Sequence, residues 1–150
     1  MDQRGKASPV EMTPVLRSAP ALRLVHHALE HAESRGWSVA VVVVDHGGEA
    51  LASARMDGVG APTLGFAADK AFTAATMRRS TRDFCARMNG ADDLRAGLAN
   101  RPRLITWEGG LPILHGEAIV GGIGVSGALG HEDAECAQAG LCRLGLSSGI

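Results

Sequence analysis

The chain has 150 residues and a formal net charge of −1, from 15 basic and 16 acidic residues. This length suits one domain with one core, and the balanced charge offers no basic footprint for nucleic acid or for an anionic membrane. With no tyrosine, two tryptophans and three phenylalanines, the chain lacks a stacking platform for bases or sugars, and its core must consist of small aliphatic side chains.

The first segment, residues 1–19, contains charged side chains, prolines and little apolar periodicity. This composition predicts a flexible or loosely docked arm that precedes a single domain of residues 20–150. No apolar segment of a secretory signal occurs in the first twenty residues, and no stretch has the length and apolarity of a membrane span. We therefore expect a cytoplasmic protein.

The first predicted helix begins near Ser18 and ends at Gly36, because apolar residues recur there at three- and four-residue steps. The face expected to be buried comprises Leu22, Val25, His26, Leu29 and Ala32. His27 and His31 are spaced to chelate a metal, but no third ligand lies nearby in sequence. The better interpretation is that these two histidines lie on a solvated face.

Two strands are predicted next. The valine-rich run over residues 38–45 is too short for a helix and strongly β-branched, which indicates a strand buried on both faces. A turn at His46-Gly47-Gly48 leads into a weakly alternating hairpin partner over residues 49–55.

Three helical segments follow these strands. Pro62 can open a second helix that extends to Met77, and its many alanines predict that it lies very close to its neighbour. Thr81 is predicted to cap a short third helix that extends to Arg87, and residues 92–100 form another short helical piece.

The remaining strands are rich in glycine. Residues 103–107 and 111–115 are predicted to form a hairpin across Gly109-Gly110, and residues 117–126 form the last strand. Three glycines in that strand leave little side chain to pack, so we expect a helix, a subunit or a ligand to approach its backbone closely. A terminal helix is predicted over residues 130–146.

This grouping of elements favours an antiparallel sheet over a doubly wound parallel one. The predicted fold class is α/β of the α+β type, with a five-stranded antiparallel sheet and helices packed on its faces. The three cysteines have no Cys-x-x-Cys spacing, so we expect reduced thiols rather than metal ligands.

Several segments spread over nearly the whole chain share one pattern. They are Val43-Val44-Asp45 with Gly48 and Leu51, Arg55-Met56-Asp57-Gly58, Lys70-Ala71 with Thr73-Ala74, Thr81, Gly109-Gly110-Leu111-Pro112, and the run from Gly121 to Gly127 followed by Asp133. In order and spacing they resemble the GlcG/HbpS family, also called the haem-degrading or PduO C-terminal-like domain. The resemblance implies a profilin-like domain that forms homo-oligomers. It also implies that some relatives bind haem or a corrinoid-type tetrapyrrole, while others act in small-molecule catabolism without an assigned reaction.

The motif positions define one candidate binding site. Arg55 and Asp57 follow a strand, Lys70 lies within the next helix, and a glycine turn can offer unobstructed N–H groups. A guanidinium and an ammonium can hold a carboxylate, such as a tetrapyrrole propionate or a small acid. The expected ligand-binding set is Arg55, Asp57, Lys70, Thr81, Gly109 and Gly110. A structural role, in which Arg55 and Asp57 only pair with Lys70 or cap the second helix, stays equally open.

Lys70, Glu108 and His115 are the candidate catalytic residues. A desolvated Lys70 would have a lowered pKa and act as a base or a Schiff-base nucleophile, whereas an exposed one would be an ordinary surface residue. Glu108 and His115 bracket the predicted hairpin, so we expect them near one another. They would form either an acid/base couple or a structural hydrogen-bonded pair.

Haem, if bound, would be noncovalent, because the chain lacks a Cys-x-x-Cys-His motif. His115 is the candidate iron ligand, since a turn histidine can point into an open cleft. His46 and His131 also lie in predicted loops and are weaker candidates.

Two functions remain open from the sequence. One is binding of haem or another anionic tetrapyrrole. The other is a cofactor-independent enzyme of isomerase, lyase or hydrolase type that transfers protons on a small carboxylate or hydroxylated metabolite, with Arg55 as the anchor. A purely structural, partner-binding role is a third possibility. A homo-oligomer is expected in every case, with neither nucleic acid nor membrane as a partner.

Overall fold

Residues 7–150, which the computed structural model describes, form five helices and four strands. In chain order these elements are α1 (Ser18–Ser34), β1 (Ala40–Asp45), β2 (Ala50–Arg55), α2 (Ala61–Met77), α3 (Thr81–Met88), α4 (Asp92–Leu98), β3 (Gly110–His115), β4 (Ala118–Ser126) and α5 (Gly130–Arg143).

The strands form one antiparallel sheet with the order β2-β1-β4-β3. The α+β class and the antiparallel pairing are therefore confirmed, but the sheet has four strands rather than the five expected. The missing strand is residues 103–107. The backbone of this segment is instead hydrogen-bonded to a side chain of α2. The Thr73 hydroxyl donates to the Arg103 carbonyl (3.1 Å) and accepts from the Ile105 amide (3.0 Å).

Helices cover both faces of the sheet. Odd-numbered valines of β1, such as Val41 and Val43, join the core beneath α1 and α5, whereas Val42 and Val44 pack against α2. All four are buried. The prediction that this strand is buried on both faces is confirmed.

The glycines of β4 allow α2 to lie directly on the sheet. A Cβ atom at Gly124 would overlap the carbonyl oxygen of Ala67, and one at Gly122 would overlap that of Ala71. The expected close approach is thus made by the alanine-rich helix, which confirms the prediction made for both elements.

Helix α1 begins as predicted, but its buried face is partly different. The buried residues are Ala21, Leu24, Val25, Ala28 and Ala32. Leu22 is 60% exposed and His26 is also exposed, so the prediction was wrong for both. Alanines take these places because α5 packs closely, with Gly140 against the backbone of α1 near Leu24.

The predicted arm of residues 1–19 extends beyond the described part of the chain at its start, since residues 1–6 lie outside it. Residues 7–17 form no helix or strand. Leu16 nevertheless packs against the core, and α1 starts within the predicted arm, at Ser18. None of the helices found in residues 7–150 is both long and apolar enough to cross a bilayer.

Candidate functional site

Lys70 on α2 is almost completely buried, with 3% of its side chain exposed. Its Nζ atom donates to the Val125 carbonyl of β4 at 2.9 Å and to Oδ2 of Asp133 on α5 at 3.0 Å. One ammonium therefore joins α2, the sheet and α5. Of the two possibilities left open by the sequence, the structure selects the desolvated lysine.

Asp133 lies in the first turn of α5 with 2% of its side chain exposed. Its second oxygen, Oδ1, accepts the amide hydrogen of Ala128 at 3.0 Å. Burial is the main cause that lowers the pKa of Lys70 and raises the pKa of Asp133, while the opposite charge of each partner counteracts the shift. Both directions bring the pKa of the Lys70 ammonium and the pKa of the Asp133 carboxyl group closer together.

Gly109 packs against both members of this pair. Its φ of +127° is one that residues with a side chain rarely adopt. A Cβ atom there would lie 2.9 Å from Nζ of Lys70 and 2.8 Å from Cβ of Asp133. Glycine is needed here both for the backbone conformation and for the space that the ion pair occupies.

Thr81 and Gly110 join the same cluster. The buried Thr81 hydroxyl accepts the amide hydrogen of Gly110 at 3.0 Å, and a Cβ atom at Gly110 would overlap the Lys70 carbonyl. The prediction that Thr81 caps α3 was therefore wrong. Ser80 caps that helix, because its hydroxyl accepts from the Asp83 amide at 3.0 Å.

The ion pair forms the floor of a cleft of about 350 Å³, which we call the Lys70 cleft. Its walls include Phe66, Lys70, Trp107, Glu108, Ser126 and Asp133. The rings of Phe66 and Trp107 meet edge to face with centroids 5.1 Å apart. They are 37% and 55% exposed, so the cleft has an apolar rim above a charged floor.

Glu108 lies in the wall of this cleft, and its negative charge slightly opposes the lowering of the pKa of Lys70. It also borders a second cavity of about 540 Å³, which Ser80, Arg82 and Gln138 help to line. Glu108 therefore remains close to Lys70, as a catalytic role would require.

Arg55 and Asp57 lie apart from the Lys70 cleft. They line a groove against α1 together with Glu30 and Glu33, and the Arg55 guanidinium donates to the Val59 carbonyl. The sheet explains the separation, because β2 is its edge strand and β1 lies between β2 and β4. The structure brings Lys70 together with Thr81 and the glycine pair, but not with Arg55 or Asp57.

Glu108 and His115 are also separated, so the prediction that they face one another was wrong. Residues 103–107 form no strand, and the two residues stand at opposite ends of β3. At about 3.3 Å per residue, roughly 20 Å separates them. They form neither an acid/base couple nor a hydrogen-bonded pair.

His115 lines a different recess, a groove of about 560 Å³ that we call the His115 groove. Its residues include Leu16, Arg17, Arg23, His115, Val120 and Arg143. Further proline, valine and leucine residues complete its walls. The groove thus combines an exposed imidazole and three guanidinium groups with an apolar surface. One of the cations, Arg143, lies 3.9 Å from a carboxylate oxygen of Glu30.

The histidines of α1 have carboxylate partners. His27 lies 3.0 Å from Glu30 and His31 lies 2.9 Å from Glu135, and these hydrogen bonds lower the pKa of both carboxyl groups. Within residues 7–150, no three His, Cys, Asp or Glu side chains are grouped as a metal site requires. Burial raises the pKa of Cys136 to about 12, which makes it an inert thiol.

Sequence reasoning missed Asp133 as the partner of Lys70, and it missed the aromatic rim. Asp133 is among the residues that resemble the GlcG/HbpS family, but 63 positions separate it from Lys70 and no local sequence pattern connects the two. Phe66 and Trp107 come from a helix and a loop, so their contact is equally invisible in the sequence.

Comparisons with known proteins agree on one family. The family model described as haem degrading protein HbpS-like matches residues 16–142. Protein GlcG of Escherichia coli K12 is 34% identical over 112 residues, which cover 75% of this chain and 81% of GlcG. A double mutant of HbpS from Streptomyces reticuli has a TM-score of 0.82 at 31% identity, covering 96% of this chain and 97% of that one. The PduOC haem complex shares the fold, with a TM-score of 0.82 at 24% identity over 91% of this chain and all of PduOC.

Proposed function

The chain belongs to the HbpS-like family, and on that premise we propose that it binds haem or another anionic tetrapyrrole, noncovalently, in the His115 groove. The observation that carries this proposal is the composition of the groove, in which an exposed imidazole and three arginines border an apolar surface. The fold also holds haem in PduOC.

The groove fits each part of such a ligand. His115 can supply an axial nitrogen to iron, and the guanidinium groups of Arg17, Arg23 and Arg143 can pair with propionates. The apolar walls suit a tetrapyrrole ring, and a volume of about 560 Å³ falls within the usual range of small-molecule sites. Bound haem would supply an iron centre with redox chemistry, while these residues bind and orient the ring.

Hemin titration tests the proposal. We expect a saturable shift of the Soret band, and we expect His115→Ala to weaken binding by about tenfold or more, a loss that even supporting residues of metal sites commonly cause. His46→Ala is the matched control, because His46 is an exposed turn histidine that does not line the His115 groove. Titration without saturation, or an equal loss in both variants, would refute binding at His115.

The Lys70–Asp133 pair supports a second candidate function, a cofactor-independent enzyme that moves protons on a small metabolite. An amine, a carboxyl group with a raised pKa and the nearby Glu108 are suitable acid/base groups within one cleft. Because Arg55 lies elsewhere, the geometry favours a hydroxylated substrate over a carboxylate.

This second function predicts that a suitable hydroxylated aldehyde or ketone exchanges its α-hydrogens with deuterated water in the presence of the metal-free and haem-free protein. Exchange should decrease in Lys70→Met and in Glu108→Gln, and remain in His115→Ala. Exchange that persists unchanged in the first two variants would show that these residues do not catalyse it.

We further propose that the protein is a homo-oligomer. Val10, Met12, Val15 and Leu22 expose large apolar surfaces near the start of the described chain, and such side chains are commonly covered by a partner. Light scattering on the purified protein would give the mass of one chain if this proposal were wrong.

A further inference from the structure

The Lys70 cleft supports an inference that rests on the second candidate function and is independent of haem binding. We infer that the Lys70 amine condenses with a small, neutral, hydroxylated aldehyde or ketone to form an imine at the floor of this cleft.

The choice of lysine at this position is the first support. The chain has only two lysines among its 15 Lys and Arg residues, Lys6 and Lys70. A guanidinium remains charged in proteins, whereas an amine can lose its proton and become a nucleophile. The chain thus places a lysine, and not the arginine that supplies most of its cations, at a buried position where a neutral nitrogen can act as a nucleophile.

The surroundings of Nζ provide the second support. Asp133 Oδ2 lies 3.0 Å away, close enough to exchange a proton directly. The Val125 carbonyl, at 2.9 Å, fixes the amine by accepting one of its hydrogens. Because Gly109 has no side chain, no Cβ atom occupies the space beside the nitrogen.

The reaction balances with these groups alone. Asp133 takes a proton from the Lys70 ammonium, and the freed lone pair forms a bond to the carbonyl carbon. The carbonyl π electrons move to oxygen, which Asp133 protonates to give a carbinolamine. After the nitrogen gives a second proton to Asp133, the hydroxyl group takes it, the C–O bond breaks and water leaves. The products are a protonated imine, water and the original carboxylate, without oxidation or reduction.

The lining of the cleft indicates the substrate class. Asp133 and Glu108 are carboxylates, and no arginine lines this cleft within the described chain, so an oxo acid would meet like charges. Glu108 and Ser126 can accept hydrogen bonds from substrate hydroxyl groups. A volume of about 350 Å³ restricts the substrate to a small molecule.

Reductive trapping tests the inference. The folded protein is incubated with glycolaldehyde and cyanoborohydride, and the modified peptides are identified by mass spectrometry. We expect a reduced adduct on Lys70 that persists in Lys6→Arg and is absent at that position in Lys70→Arg. Glyoxylate, which carries a negative charge, should label Lys70 less than glycolaldehyde does.

A structural ion pair would give a different result. Lys70 would then be protected in the folded wild-type protein and labelled only in urea, and this outcome would overturn the inference without depending on any variant. Stronger labelling by glyoxylate would refute the substrate class. Proton exchange without an adduct would refute the imine but keep the second candidate function, and hemin titration of the same samples tests haem binding separately.

Discussion

Lys70 and Asp133 determine the chemistry available to this protein at the residue scale. Each is buried at a cost that the other offsets, because removal of either partner leaves an unpaired charge or forces neutralisation. The sequence indicated that Lys70 would matter if it were desolvated, and this condition is met. It did not indicate Asp133 as the partner, because a contact between α2 and α5 depends on the complete fold.

The pKa shifts of Lys70 and Asp133 predict how the stability of the wild type depends on pH. The reference is the double variant Lys70→Met/Asp133→Leu, which lacks both groups. The raised pKa of Asp133 means that the folded protein binds more protons above pH 3.8, so the wild type should lose stability relative to the variant as pH rises from there. The lowered pKa of Lys70 means that the folded protein binds fewer protons below pH 10.5. The wild type should therefore regain stability as pH approaches that value.

Urea denaturation across this range would measure the difference in unfolding free energy between the two proteins. The expected curve has its minimum between the two ordinary pKa values. A difference that stays flat, or that has a maximum there, would contradict the assigned directions of both pKa shifts.

At the scale of elements, helices and the buried strand β1 were predictable because apolar periodicity and β-branched residues determine them locally. The strand expected at residues 103–107 was not predictable, because Thr73 binds its backbone groups from a distant helix. The same limit applies to the sites. The strand order places Arg55 away from Lys70, because β1 lies between β2 and β4. The absence of a fifth strand places Glu108 away from His115.

The close packing of α2 on β4 gives a second prediction. Gly124→Ala should destabilise the protein by about 1–3 kcal/mol or more, because the new Cβ atom overlaps the Ala67 carbonyl. Gly65→Ala is the matched control. Gly65 lies within α2 with no atom near its Cβ position, so its change should stabilise by roughly 0.5–1 kcal/mol.

Urea denaturation of these two glycine variants provides the measurement. If both variants changed the free energy of unfolding equally and with the same sign, the close contact between the backbone of α2 and β4 would be contradicted.

At the scale of the whole molecule, β3 separates two recesses. The Lys70 cleft lies near its first residue, where Gly109 and Gly110 meet α2 and α5. The His115 groove lies at its other end, beside residues 14–17 and the end of α5. From the sequence, the residues around Lys70 and His115 were expected to form one site. The antiparallel sheet instead gives the protein two chemically different surfaces, one apolar and cationic, the other containing two carboxylates and one amine.

The location of bound hemin tests this account most directly. Paramagnetic iron broadens the amide signals of nearby residues, so hemin added to isotope-labelled protein should broaden signals from Arg23, His115 and Val120 in an NMR spectrum. Signals from Gly109 and Ser126, at the Lys70 cleft, should remain sharp. Broadening confined to Gly109 and Ser126 would place haem in the Lys70 cleft and contradict the proposed binding in the His115 groove.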